Sequence, residues 1–310
     1  MSGTPRPRWQ IVALLMLIST VLGSNHVAAR IAFDHGANVV TAVAIRSTGT
    51  SLALFLALRL SGVSLLLPRM VLARGLFIGL LLTIQSLCLY SAVARIPVGL
   101  ALLTFNCFPL LFAGMTWLIE GRRPSNRTLL FMPVALAGLS LALNLFGGSL
   151  SAPDGKMQEG VLLALGAALS FSTVLLLSER WLGALDGRLR SLLMMITIAV
   201  IASLGGFATD GFALPQDRIG WIALATLTLF YGTAISALFV VLPRIGILNN
   251  ASVMNFEPVA ALLLGALILG QTITPLQVVG VVIVLGAMLG MASGKPASGG
   301  AASKKPPAEG

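Results

Sequence analysis

Ten long apolar runs constrain the fold of this chain more than any other feature of its sequence. The first, residues 9–29, contains no charged side chain at all. A helix rises about 1.5 Å per residue, so about 20 apolar residues cross the roughly 30 Å of hydrocarbon in a bilayer. The sequence therefore predicts ten membrane-spanning helices. They cover 9–29, 39–60, 71–94, 98–119, 128–146, 160–181, 191–209, 219–242, 247–269 and 276–292.

The composition supports a protein that lives in a lipid bilayer. Of its 310 residues 57% are hydrophobic and only 10% are charged, whereas soluble proteins are about 25% charged. Arg6, Arg8 and the small residues at 27–29 also resemble a cleavable signal peptide. Because the later helices need a first span to complete the membrane domain, we favour a retained helix and an all-α polytopic membrane protein.

The net charge of +10 does not indicate a nucleic-acid partner, because the basic residues lie at the ends of the runs. With the N-terminus in the cytoplasm, fifteen of the 20 Lys and Arg residues fall on cytoplasmic ends. Only Arg30, Arg95, Lys156 and Arg218 fall outside, and Arg46 lies within a span. The positive-inside rule therefore predicts a plasma (inner) membrane protein with both termini in the cytoplasm.

Motifs for metal, redox or ATP chemistry are missing from the sequence. The two cysteines, Cys88 and Cys107, lie within apolar runs and form no CxxC motif. The sequence also lacks GxxxxGK[ST], HExxH and GxSxG motifs. We expect no cofactor, no metal and no enzymatic activity. The alternative functions to weigh against this expectation are a membrane-embedded enzyme and a passive channel without coupled transport. Pairs of glycines spaced four apart, at 75/79 and 286/290, favour close packing within a monomer over a homodimer.

The chain contains an internal repeat. Residues 94–121 align without gaps to 243–270 at an offset of 149 and share an Arg-Ile pair, an Asn and a Pro. Each half holds five helices, an odd number, so the second copy is inverted in the membrane. The flanks agree, since 120–127 carries three arginines and 270–277 carries none.

These features divide the chain into five predicted parts. They are a cytoplasmic segment 1–8, a first repeat 9–146, an external linker 147–159, a second repeat 160–292 and a disordered cytoplasmic tail 293–310.

Several segments together resemble the drug/metabolite transporter superfamily, specifically its ten-helix EamA-type members. They are "GSNHVAARIA" at 23–32, Arg46, "YSAVARIPVGLALLTFNCFPLLFA" at 90–113 and "NFEPVAALLLGALILGQ" at 255–271. The resemblance implies a secondary active transporter of amino acids, metabolites or drugs, often an exporter, with a central cavity between its halves. Its partners would be a small-molecule substrate, the lipid bilayer and protons as a coupling ion.

Glu257 is the only acidic residue deep inside a predicted span. A lone carboxylate near the membrane midplane costs a few kcal/mol on insertion scales, so it needs a partner, water or a proton. It is either a proton-coupling or substrate-amine site, or a structural hydrogen-bonding group. Pro258 follows it and predicts a helix kink, as does its repeat equivalent Pro109.

Arg46 lies seven residues from the external end of its span. It either binds a substrate carboxylate, pairs with Glu257, or snorkels to the interface. Facing one cavity, Arg46 and Glu257 would hold the two ends of an amino-acid-like zwitterion.

Other polar residues in the spans are candidates for substrate recognition, with hydrogen bonding between helices as the alternative for each. Asn25 and His26 end the first predicted span, and His26 is either a proton carrier or a structural group. The remaining candidates are Gln85, Tyr90, Asn106, Tyr231 and Asn255.

Overall fold

The fold is all-helical over the residues that the computed structural model describes. These are 8–63, 65–121, 123–143, 155–208, 211–245, 256–272 and 274–292. The helices are α1 (Arg8–Asp34), α2 (Val39–Leu60), α3 (Arg69–Arg95), α4 (Val98–Phe105), α5 (Phe108–Glu120), α6 (Asn126–Ala142), α7 (Lys156–Leu182), α8 (Gly187–Ala208), α9 (Arg218–Ile245), α10 (Glu257–Leu269) and α11 (Pro275–Ala292). Asn255, residues 1–7, most of the predicted linker and the predicted tail lie outside the described residues.

The helices match the predicted spans. Seven stretches are long and apolar enough to cross a membrane by length and composition, with α4 and α5 together forming one of them. Helices α6, α10 and α11 are shorter and apolar. Large apolar side chains such as Leu118, Phe207 and Leu267 are about four-fifths exposed or more. Exposing so many large apolar side chains to water is unfavourable, so this surface is suited to contact with lipid tails.

The single offset of 149 residues relates the described helices of the two halves, apart from α4, whose equivalent lies outside the described residues. Adding 149 to the bounds of α2 gives 188–209, against the observed Gly187–Ala208, and subtracting it from α10 gives the bounds of α5. Both α5 and α10 end at a glycine with positive φ, Gly121 and Gly270. The protein is thus a polytopic membrane protein of ten spans arranged as two inverted five-helix repeats.

The halves are interleaved rather than side by side. Helix α1 packs against α9 and α10, and the equivalent helix α7 packs against α3 and α4. Helix α2 packs against α8, and α6 packs against α11. A site between these helices is therefore built from both halves at once.

Small residues set the distance between helices α3 and α8. A Cβ added to Gly79 would lie 2.6 Å from Cβ of Thr197, and one added to Gly75 would overlap Leu193. The first glycine pair thus packs within the chain, as the sequence favours. In the second pair, Gly290 packs against Phe131, whereas Gly286 faces open space.

The first span is longer than the sequence predicts. Helix α1 continues to Asp34 and so includes Arg30, which the prediction placed beyond the span. The helix can include this arginine because its charge and its N–H groups have partners. Its Nε lies 3.0 Å from Oδ1 of Asp34, and its Nη1 donates to the Val93 carbonyl at 3.1 Å. Asn25 and His26 therefore lie within the helix rather than at its end.

The fourth span is broken near its middle. Helix α4 ends at Phe105, residues 106 and 107 form a turn, and α5 starts with Pro109 as its second residue. Proline lacks the N–H group that would continue the helix. Pro258 occupies the same place in α10, so each predicted kink coincides with the start of a helix.

Candidate functional site

A cluster of polar side chains lies between helices of both halves. Its members come from α1, α2, α3, α9 and α10 and are Asn25, His26, Arg46, Ser86, Tyr90, Tyr231 and Glu257. We call these residues the polar cluster.

Arg46 is the centre of the polar cluster. It is 2% exposed, donating from Nη1 to the Tyr90 hydroxyl at 2.9 Å and from Nη2 to Ser86 Oγ at 3.1 Å. Its Cζ stands 3.9 Å from the ring centroid of Tyr231 and 4.7 Å from that of Tyr90. The guanidinium is thus held between two aromatic rings, which stabilise it by cation–π attraction. Arg46 does not snorkel to the interface.

Glu257 pairs with His26 and not with Arg46. His26 Nε2 lies 3.4 Å from Oε1 of Glu257, with side-chain exposures of 7% and 23%. Helices α1 and α10 approach closely because Gly23 has no side chain, since a Cβ there would lie 2.9 Å from the Glu257 carbonyl oxygen. Glu257 also stands in the first turn of α10, where the helix dipole favours a negative charge.

Tyr90 joins the two parts of the cluster. It is fully buried, and its hydroxyl lies 3.2 Å from the Asn25 amide as well as 2.9 Å from Arg46. Its ring centroid is 5.4 Å from that of His26. Tyr90 therefore contacts both the arginine and the histidine of the cluster.

Two of the predicted candidates take other positions. Asn106 donates from Nδ2 to the Leu102 carbonyl at 2.8 Å, so it satisfies its own helix at the break between α4 and α5. Gln85 is buried on α3, where its Oε1 accepts a long hydrogen bond of 3.4 Å from Ser86. Gln85 thus lies beside the cluster, and Asn106 makes a local bond.

Ser86 was not among the residues predicted from the sequence. Its signal was its position four residues before Tyr90, which places both on one face of α3. Thr41 and Ser47 of α2 were also missed. Both are fully buried, and neither hydroxyl has a partner among the described residues.

Unpartnered buried polar atoms are concentrated on the helices of this site. In the described ranges they are His26 Nδ1, Thr41 Oγ1, Arg46 Nε and Ser47 Oγ. Such atoms carry a desolvation cost that a ligand or water would relieve. All four lie on α1 and α2, and two of them, His26 Nδ1 and Arg46 Nε, belong to the polar cluster.

The polar cluster has no counterpart at the pseudo-symmetric position. The offset of 149 pairs His26 with Leu175, Arg46 with Met195 and Glu257 with Phe108. Asn25, Tyr90 and Tyr231 correspond to Val174, Phe239 and Leu82. The two repeats thus share the helical scaffold, but the equivalents of His26, Arg46 and Glu257 are apolar residues.

The described ranges contain no group of three or more His, Cys, Asp or Glu side chains that could hold a metal ion. The polar cluster itself holds one carboxylate and one imidazole, too few for such a site.

Comparison with known families identifies the chain. The model of the EamA-like transporter family matches it twice, over residues 9–144 and 158–293. The chain belongs to the EamA-like transporter family. It is therefore a transporter by family, and the two matches coincide with the two halves of the fold.

Curated relatives of this EamA-like protein are exporters. It is 28% identical over 285 residues to the threonine/homoserine exporter RhtA of Escherichia coli K12, covering 92% of each chain. It is 28% identical over 215 residues to RhtA of Salmonella typhimurium LT2, covering 69% of each. A crystal structure with a TM-score of 0.63 and 18% identity covers 92% of this chain and 98% of the other, and shows the same fold.

Proposed function

We propose that this EamA-like protein is a secondary active exporter of a small amino-acid-like zwitterion. In this proposal the polar cluster is the substrate site, and the two inverted repeats expose it alternately to each face of the membrane. The family membership supports transport. The specific substrate class rests on the polar cluster.

The observation that carries the proposal is the buried charge of Arg46 without a carboxylate to neutralise it. No acidic group among the described residues lies within ion-pair distance of its guanidinium, although the two tyrosine rings beside it help to bury it. A buried cation is costly until an anion pairs with it. Its Nε has no partner within the described part of the chain, so a substrate carboxylate would receive a charge-assisted hydrogen bond there.

The ammonium end of the substrate would bind at Glu257. An ammonium group would bind the carboxylate of Glu257 in competition with His26, which lies 3.4 Å away. Binding of a proton to this pair would likewise compete with the ammonium. The pair therefore couples substrate binding to protonation, and the proton gradient supplies the energy.

Charge supports the proposed orientation, and the relatives support the proposed direction. The basic residues favour cytoplasmic termini and an inner-membrane location. The relatives are named threonine/homoserine exporters, which favours export and makes L-threonine and L-homoserine the first probes.

Competition in proteoliposomes tests the proposed substrate class. Counterflow of radiolabelled L-threonine is measured with the purified protein against an excess of L-homoserine, L-threoninol or N-acetyl-L-threonine. We expect only L-homoserine to compete, because L-threoninol lacks the carboxylate and N-acetyl-L-threonine lacks the ammonium group. Equal competition by either analogue would contradict recognition of both charges.

A further inference from the structure

Two loops from opposite halves are bonded together at one face of the protein. Residues 35–38 join α1 to α2, and residues 211–217 precede α9. The Gln216 N–H donates to the His35 carbonyl at 2.9 Å, and the Asn38 N–H donates to the carbonyl of residue 213 at 3.1 Å. We call these two loops, with their mutual bonds, the strap.

Side chains reinforce the strap. His35 Nδ1 lies 2.6 Å from Oδ2 of Asp217, and Asn38 Nδ2 donates to the Gly211 carbonyl at 3.1 Å. The Gly220 N–H donates to the other oxygen of Asp217 at 2.8 Å. This backbone bond, followed by the His35 bond, holds the pKa of Asp217 below its usual value. Asp217 therefore stays charged across the physiological pH range.

The loops fit closely where they meet. Gly36 adopts φ +97°, a conformation that other residues rarely reach, and a Cβ there would lie 2.9 Å from Cγ of Gln216. The strap is thus a fitted contact between the halves rather than a chance approach of two loops.

The strap lies at the end of the helices that carry the polar cluster. It joins the C-terminal end of α1 and the N-terminal ends of α2 and α9, which bear His26, Arg46 and Tyr231. Asn38 also caps α2 by accepting from the Thr41 N–H at 2.8 Å. Opening the strap would release the ends of three helices that surround the site.

The strap chemistry exists at one face only. Under the offset of 149, His35 corresponds to Ala184, and Asp217 corresponds to Pro68. Neither counterpart side chain can form an ion pair or a hydrogen bond. A contact needed only to hold the repeats together would be expected at both faces, since the repeats are inverted copies.

We propose that the strap is the external gate, closed in this structure, and that it opens to release substrate from the polar cluster. This inference rests on the proposed orientation and on transport through that site. In this proposal a solute leaving by the external face passes between the ends of α1, α2 and α9, which the strap ties together.

Thiol labelling tests the gate without any substrate. The reporter is Thr41→Cys, a fully buried position just beneath the strap, in a chain with Cys88→Ala and Cys107→Ala. An impermeant maleimide is applied to intact cells and to inside-out vesicles. Adding His35→Gln with Asp217→Asn is expected to speed labelling from outside by about threefold to tenfold, the scale of one ordinary protein hydrogen bond, because the His35–Asp217 contact is exposed.

The matched control weakens a different ion pair. Arg95 and Glu159, at the same predicted face, lie 3.0 Å apart and join α3 to α7. We expect Glu159→Gln to leave labelling of the reporter unchanged. Labelling that is unchanged by the strap substitutions, or that accelerates only from the cytoplasmic side, would overturn the external gate.

Covalent closure provides the second arm. The cross-linking variant carries His35→Cys and Asp217→Cys together with Cys88→Ala and Cys107→Ala, and it keeps Thr41. Oxidation is expected to stop counterflow of radiolabelled L-threonine through this variant, and reduction is expected to restore it. Undiminished counterflow through the cross-linked protein would show a permanent tie rather than a gate. If the unmodified protein does not transport L-threonine, the proposed substrate fails, while the labelling arm still decides on the gate.

Discussion

Replacing Arg46 by Gln removes the buried charge that we assign to the substrate carboxylate. The Nε atom has no partner among the residues that the structure describes, while Nη1 and Nη2 are engaged by Tyr90 and Ser86. The loss for the substrate is therefore about one charge-assisted hydrogen bond, or about 1.5–3 kcal/mol. At about 1.36 kcal/mol per tenfold change, KM for L-threonine should rise about 10- to 150-fold.

A lysine at this position should give an intermediate result. Arg46→Lys keeps the charge but loses the planar fork that reaches Tyr90 and Ser86 together, and it stacks less well between the rings. We expect KM between those of the unmodified protein and Arg46→Gln. This order separates an effect of charge from an effect of shape.

The assay is the initial rate of L-threonine uptake into proteoliposomes as a function of concentration. Arg95→Gln serves as the control because Arg95 pairs with Glu159 at an exposed helix end. Monodispersity and Tm in detergent show whether each variant is folded. A folded Arg46→Gln protein with KM within about twofold of the unmodified value would refute the assignment.

Two further predictions concern coupling and helix contacts. Glu257→Gln should weaken L-threonine counterflow by raising KM, because an amide binds the substrate ammonium group less well than a carboxylate does. It should also lose accumulation driven by a pH gradient, because the pair with His26 no longer exchanges a proton; accumulation with an unaltered pH profile would contradict this role. Gly79→Leu should lower Tm in detergent, since Thr197 lies 2.6 Å from the added Cβ and overpacking costs about 1–3 kcal/mol. Gly286→Leu, which meets open space, should leave Tm unchanged, and equal Tm values for the two variants would count against a close contact at Gly79.

The architecture was predictable because it depends on periodic and repeated features. Apolar runs of sufficient length gave the ten spans, and the shared Asn and Pro near Asn106 and Pro109 revealed the repeat. The same offset then relates every described helix of the first half except α4 to a helix of the second, and the equivalent of α4, 247–254, lies outside the described residues. Two local features were not predicted. One is the extension of α1, which depends on the ion pair between Arg30 and Asp34, and the other is the full break after α4.

Most members of the polar cluster were predictable from the sequence, but the contacts between them were not. Asn25, His26, Arg46, Tyr90, Tyr231 and Glu257 were singled out as polar groups in apolar spans, and they do lie together. Which of them touch depends on how helices from opposite halves meet. Glu257 contacts His26 because Gly23 has no side chain and so lets α10 approach α1 closely. No local sequence pattern predicts this contact.

Accumulation of L-threonine in proteoliposomes tests the central claim most directly. Purified protein is reconstituted, a pH gradient is imposed, and internal radiolabelled L-threonine is followed with and without a protonophore. Coupled transport predicts accumulation above the external concentration that collapses when the protonophore is added. Equilibration without accumulation, or accumulation that the protonophore leaves intact, would contradict proton-coupled transport by this protein.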